Sequence, residues 1–133
     1  MRRRAVKKLA AFALGALLLV SMSPKVVEGA RQIRSITNFL VTRTGQFTQA
    51  AYKTNNSNTI INLQPSTPGR LVRVSNYNAT NGKYVGGTSL NTATRQSFSD
   101  NSIAGGYYHL KLASGNPLRP NFRVNGSWSP DSY

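Results

Sequence analysis

The chain has 133 residues, with 17 lysines and arginines against three acidic residues, and a formal charge of +14. It contains no cysteine, which excludes disulfides, thiolate metal centres and a lipid-modified cysteine. One histidine and three carboxylates leave little from which to assemble a metal site or an acid–base pair.

The opening thirty residues read MRRRAVKKLAAFALGALLLVSMSPKVVEGA. Arg2, Arg3, Arg4, Lys7 and Lys8 make a positive start, residues 9–22 form an uncharged and mostly apolar run, and Gly29 and Ala30 close the segment with small residues. These are the three parts of a secretory signal peptide. A permanent span needs about 20 apolar residues, so the run is short for an anchor, and no membrane span is expected after cleavage. Cleavage after Gly29 places Val27 at the −3 position and cleavage after Ala30 places Glu28 there; both sites stay open. An uncleaved signal anchor is the rival reading. The arginine pairs also raise twin-arginine export, which Ala5-Val6-Lys7 fits poorly.

The expected organisation is a signal peptide over residues 1–30, an N-terminal arm or first strand over residues 31–45, and one β-sandwich domain over residues 46–133. Residues 31–133 carry eleven lysines and arginines against Asp100 and Asp131, a formal charge of +9. Within residues 31–45, Ile33, Ile36, Phe39 and Leu40 fit one helical face, yet residues 36–41 also fit a strand. Short alternating runs cut by Gly, Pro, Asn and Ser follow, the pattern of a sandwich or barrel. Residues 46–53, QFTQAAYK, read as one strand, and residues 59–64, TIINLQ, as another with Ile61 and Leu63 on one face. The cluster Pro65-Ser66-Thr67-Pro68-Gly69 is a turn.

Residues 70–78, RLVRVSNYN, alternate, with Leu71, Arg73, Ser75 and Tyr77 on one side and Val72 and Val74 on the other. Asn81-Gly82 then marks a tight hairpin into Lys83-Tyr84-Val85, with both turn residues at positive φ, and Gly86-Gly87 is expected to end or bend that strand. The polar run of residues 92–99, TATRQSFS, suits a sheet edge. From Tyr107, the strand YYHLKL buries Tyr108, Leu110 and Leu112 and turns Tyr107, His109 and Lys111 outward. After Gly115-Asn116-Pro117, residues 121–127 form the last strand with Phe122 and Val124 inward and Trp128 on the same face. The class is therefore all-β, a small Greek-key or Ig-like sandwich.

The motif Gly106-x-Tyr108-x-Leu110 has the form of a tyrosine corner, in which a hydroxyl bonds the backbone a few residues upstream and the glycine permits close approach. The usual acidic residue before the glycine is replaced by Ala104. No G-x-S-x-G elbow occurs, His109 faces away from the core, and Asp100 and Asp131 sit in separate loops, so no catalytic residue, metal or cofactor is assigned. Tyr77, Tyr84, Tyr107, Trp128 and Tyr133 are candidates for a binding face, with Arg73 and Lys83 flanking Tyr77 and Tyr84 across the hairpin. The same tyrosines also suit cross-strand pairs that only stabilise the sheet.

Val124-Asn125-Gly126-Ser127-Trp128-Ser129-Pro130-Asp131 resembles the V-x-G-x-W-x-x-[DE] ending of small secreted Gram-positive bacterial proteins of unknown function. The resemblance extends to the signal peptide and the G-x-Y strand. It implies a secreted, non-enzymatic protein and brings no ligand or site residue with it. A basic exported domain favours anionic partners, so the expected activity is binding to an anionic cell-wall polymer or another cell-surface ligand, without specific nucleic-acid recognition. The protein would be secreted or wall-associated. A bacteriocin-like antagonist and a carbohydrate-binding adhesin are the alternatives.

Overall fold

The computed structural model describes residues 30–133; the expected signal peptide lies outside them, apart from Ala30. The described chain forms nine strands: β1 (Arg34–Val41), β2 (Gln46–Phe47), β3 (Ala51–Tyr52), β4 (Thr59–Leu63), β5 (Leu71–Asn78), β6 (Tyr84–Asn91), β7 (Arg95–Phe98), β8 (Tyr107–Ser114) and β9 (Phe122–Ser129). They make two antiparallel sheets. One has the order β1-β9-β4-β7, and the other the order β2-β8-β5-β6 with β3 beside β2 along the same side of β8. The fold is the two-layer Greek-key β-sandwich that the alternating runs imply.

Within that class the connectivity is nested. β1 pairs β9, the β2/β3 segment pairs β8, β4 pairs β7, and β5 pairs β6. Counting β2 and β3 as one broken strand, this is the eight-stranded order of a jelly roll, two Greek keys wound into one another. Four connections between the sheets gather at one end, here called the far end: residues 42–45, 64–70, 92–94 and 115–121. Hydrogen bonds knit them together, including Thr92 N–H to Arg70 O at 2.8 Å, Ala93 N–H to Gln64 O at 3.2 Å and Ser114 N–H to Thr42 O at 2.9 Å.

Alternation decides what is buried. On β5 Val72, Val74 and Asn76 point inward; on β8 Tyr108, Leu110 and Leu112 do so. Ile36, Ile61, Leu63, Val124 and Trp128 complete the core from the other sheet. Trp128 keeps the inward phase of Val124 and is 1% exposed, so it belongs to the core and drops out of the candidate binding face. The N-terminal ambiguity resolves as strand, because pairing with β9 buries Ile36 and Val41 at spacings a helix would not satisfy.

Three local expectations change. The run of residues 46–53 breaks into β2 and β3, and Thr48 in the gap turns its side chain inward, where its hydroxyl accepts from Leu110 N–H at 3.0 Å. The β5–β6 hairpin forms where Asn81-Gly82 marks it, but only Gly82 has positive φ, at 76°. The loop is wider than a two-residue turn, and the Asn78 carboxamide organises it by accepting from Thr80 N–H at 2.8 Å and Asn81 N–H at 3.1 Å. Finally, β6 does not end at Gly86 and Gly87 but continues through them with a bulge beside Gly86, where Val85 is the extra β6 residue opposite the single step from Asn76 to Tyr77.

The near end is held by two polar centres. Asp131 is fully buried against Lys53, itself 0% exposed, at 3.4 Å. The Asp131 carboxylate also accepts from Thr54 N–H and Thr54 Oγ1, both at 2.8 Å. Lys53 Nζ donates further to the carbonyls of Ser57 and Pro130. Beside β8, Tyr108 Oη accepts from Ile103 N–H at 3.1 Å and lies 3.5 Å from Ile103 O. A Cβ on Gly106 would meet the Tyr108 ring at 3.1 Å, so the bare glycine gives the ring its room.

Two outcomes follow from these centres. Tyr108→Phe should cost about 0.5–1.5 kcal/mol through loss of the Ile103 bonds, while Tyr107→Phe, on the exposed side of the same strand, should leave the urea midpoint unchanged. Asp131→Ala strands the buried Lys53 ammonium and should cost about 3–5 kcal/mol in the same assay.

Candidate functional site

The outer face of the β2/β3-β8-β5-β6 sheet carries a ladder of rings. Tyr84 of β6 and Tyr77 of β5 are directly paired, and Tyr77 is directly opposite His109 of β8. The Tyr77 and Tyr84 rings meet edge to face at 5.5 Å. Phe47 of β2 stacks on His109 at 4.1 Å with an interplanar angle of 21° and meets Tyr77 edge-on at 5.4 Å. Toward the near end, Tyr52 and Tyr107 form a further pair at 5.1 Å. Period-two alternation produces this face, since each ring is one residue away from an inward neighbour.

The ladder is partly open to solvent: Phe47 is 47% exposed and Tyr84 55%. Lys111 rises beside it, with Nζ 5.4 Å from the Tyr77 ring centroid and 5.7 Å from that of Phe47. The quadrupole of each ring attracts the ammonium. The Lys111 stem lies over Gly45, where a Cβ would approach it to 2.7 Å. Gly87 does the same for Tyr84, because a Cβ there would reach the Tyr84 hydroxyl at 3.3 Å and the Val74 carbonyl at 2.3 Å. The cation and the outermost ring therefore have their places prepared by glycines.

Arg73 shares this face, four residues from Tyr77 on β5 and exposed. Lys83 is exposed in the β5–β6 loop beside Tyr84. The fold thus brings Tyr77 and Tyr84 into contact, sets Arg73 farther along the same face and leaves Lys83 at its rim. Tyr133 is exposed at the near end, beyond the ladder, where Asn55 Nδ2 donates to its carbonyl at 2.8 Å. Sequence reasoning missed Phe47, His109 and Lys111 as members. His109 and Lys111 were readable as outward residues of β8, but their neighbours across the sheet were not.

Neither carboxylate among the described residues faces the ladder. Asp131 is buried with Lys53, and Asp100 accepts from Thr59 Oγ1 at 2.8 Å, Asn76 Nδ2 at 2.9 Å and Ser102 N–H at 3.1 Å. Among the described residues no cluster of histidine and carboxylates suits a metal ion. A cleft of about 460 Å³ opens at the far end between Arg70, Leu71, Asn91, Asn116, Arg119 and Phe122. A smaller hollow of about 130 Å³ lies on the other sheet, flanked by Arg31 and Arg95. No family model, curated protein or solved structure matches this chain.

Burial beneath Phe47 lowers the pKa of His109 below its ordinary value of 6.5 by desolvating the imidazolium. The unfolded chain therefore binds the proton more readily than the folded one. The stability from this group is present above pH 6.5 and is lost as pH falls through the folded-state value. Thermal midpoints should drop as pH is lowered from neutrality through that window, and His109→Gln should flatten the drop.

Proposed function

We propose that the protein is a secreted binding protein for anionic, sugar-containing polymers of the bacterial cell envelope, gripped along the outer face of the β2/β3-β8-β5-β6 sheet. The observation that carries this reading is the composition of that face, where rings and the cations Lys111 and Arg73 stand together with no carboxylate. Aromatic faces pack against the C–H faces of sugars, and the cations answer the charge of phosphate or carboxylate groups along the polymer. Buried Asp131 and half-buried Asp100 are both engaged by the fold's own hydrogen bonds, which leaves the face unipolar.

The positive start and short apolar run of the N-terminal segment support an exported protein, and with it a binding partner outside the cell. A carbohydrate-binding adhesin is the second reading, favoured by the partly exposed rings themselves. The two differ in what salt does. Exposed charges interact over about 10 Å at 0.1 M salt and less above it, whereas ring–sugar contacts persist.

Retention on purified Gram-positive walls, with and without their phosphate polymers, separates these readings. Retention should fall as salt rises and should require the phosphate polymers. Arg73→Glu with Lys111→Glu should weaken it more than Arg95→Glu with Arg123→Glu, which reverses two charges on the other sheet. Salt-insensitive retention that a neutral glycan displaces would overturn the polyanion reading in favour of the adhesin. Equal losses from both double variants would remove the ring ladder as the site.

A further inference from the structure

The far end of the sandwich holds a second place for charge. Arg70 follows the β4–β5 turn, Arg119 sits in the β8–β9 connection, and both line the cleft of about 460 Å³. That volume is in the range of small-molecule sites, roughly 300–1,000 Å³. The Arg70 guanidinium lies 5.5 Å from the centroid of the Phe122 ring, which holds it at the cleft wall. Both side-chain carboxylates among the described residues, Asp100 and Asp131, are engaged at the opposite end, so neither guanidinium has an acidic side-chain partner among the described residues. Arg43, in the adjoining β1–β2 connection, adds to the positive field while its guanidinium donates to Pro117 O at 3.2 Å.

The remaining lining residues narrow the ligand. Asn91 and Asn116 are exposed, and the Asn116 carboxamide oxygen already accepts from Leu118 N–H at 3.0 Å, which leaves its NH₂ as a donor. Leu71 and Phe122 supply apolar surface. Two guanidiniums suit a phosphate dianion, amides suit hydroxyl groups, and the apolar side suits the C–H face of a ring. The cleft also continues the ring-bearing face, since Leu71 is the next outward residue of β5 beyond Arg73. From Tyr77 to Leu71 the outward side chains span six residue steps of strand, roughly 20 Å at about 3.3 Å per step.

We infer that this cleft seats a phosphorylated sugar unit, with Arg70 and Arg119 on the phosphate and Asn91 and Asn116 on the hydroxyls. The inference rests on the proposed polymer binding and names the chemistry of one repeat or end group of that polymer. A linear chain of a few units then runs from the cleft past Arg73 and Lys111 to the rings.

The test is a titration of the protein, produced from the full chain, with glucose 1-phosphate, glucose and inorganic phosphate, followed by backbone amide shifts. Glucose 1-phosphate should move the signals of Leu71, Asn91, Asn116 and Arg119 and should bind more tightly than either other probe. Arg70→Gln and Arg119→Gln should each weaken it about tenfold or more, the loss expected for a charged hydrogen bond. Arg119 is exposed, so its variant keeps the test informative if Arg70→Gln unsettles the Phe122 contact. Arg95→Gln, on the other sheet, should leave this small probe unaffected. Unmoved cleft signals, or an unchanged affinity in Arg119→Gln, would overturn the site. Inorganic phosphate binding as tightly as the sugar phosphate would overturn the sugar assignment. The wall assay answers for the sheet face separately, because it reads Arg73 and Lys111.

Discussion

The last strand of the chain is a central strand. β9 lies between β1 and β4, and β8 lies between the β2/β3 segment and β5, so both sheets close only when the final quarter of the chain arrives. The Asp131 carboxylate secures that arrival. Two residues beyond β9, it takes the buried Lys53 ammonium and the hydroxyl and amide of Thr54, tying the chain end to the start of the β3–β4 connection. A buried ion pair is weak evidence for net stability, because desolvation offsets most of its attraction. Here the extra hydrogen bonds from Thr54, and those from Lys53 to the Ser57 and Pro130 carbonyls, satisfy both ions and give the pair a positional role. With no cysteine to staple the ends, this contact fixes the register of the strand on which the other three of its sheet depend. Folding is accordingly dominated by partners distant in sequence, which slows it relative to local topologies.

The same contact shapes the surface. A domain with two side-chain carboxylates and eleven basic residues over residues 31–133 has little acid to spend, and the fold spends both carboxylates on its own architecture. Asp100 anchors the β7–β8 connection against Thr59 and Asn76, and Asp131 closes the chain end. Both lie toward the near end, so the positive field grows toward the far end, where Arg43, Arg70 and Arg119 stand in adjacent connections. Structural need and surface charge are thus one decision, made by where the acids are placed.

Much of the sheet content was legible in period-two alternation. β5 and β8 read as half-buried strands because Val72 and Val74, or Leu110 and Leu112, alternate with polar or aromatic residues. β7 read as an edge from its polarity, and it is one. The ring ladder was half legible. Tyr77 and Tyr84 flank a hairpin and so meet by local geometry, whereas Phe47 comes from a two-residue strand placed by pairing with β8. Lys53 gave no sign of burial, since a lysine is almost never fully buried without a partner and Asp131 is 78 positions away. The far-end cleft was invisible for the same reason: Arg70 and Arg119 follow separate turns, and only the nested strand order makes those turns neighbours. Gly86-Gly87 read as an end or a bend of the strand because glycine weakens strands on average; the strand continues with a bulge beside Gly86, and the missing side chains make room for Asp100 and the Tyr84 hydroxyl.

β8 joins the core to the proposed binding face. Its inward residues, Tyr108, Leu110 and Leu112, are each 2% exposed or less, and its outward residues Tyr107, His109 and Lys111 carry a ring, an imidazole and the ladder's cation. Because the side-chain period is two, a slip of one residue in β8 would exchange these sets, burying a lysine and exposing two leucines. The Tyr108 bonds to Ile103 and the Thr48 hydroxyl on Leu110 N–H hold β8 against such a slip. Devices that read as pure stability therefore also determine which side chains face the ligand. Lys111, Phe47 and Tyr84 are then held by packing on Gly45, His109 and Gly87, so little side-chain freedom is left to lose on binding. Preorganisation of this kind lets a small, disulfide-free domain present an ordered binding face on strands it already needs for its core.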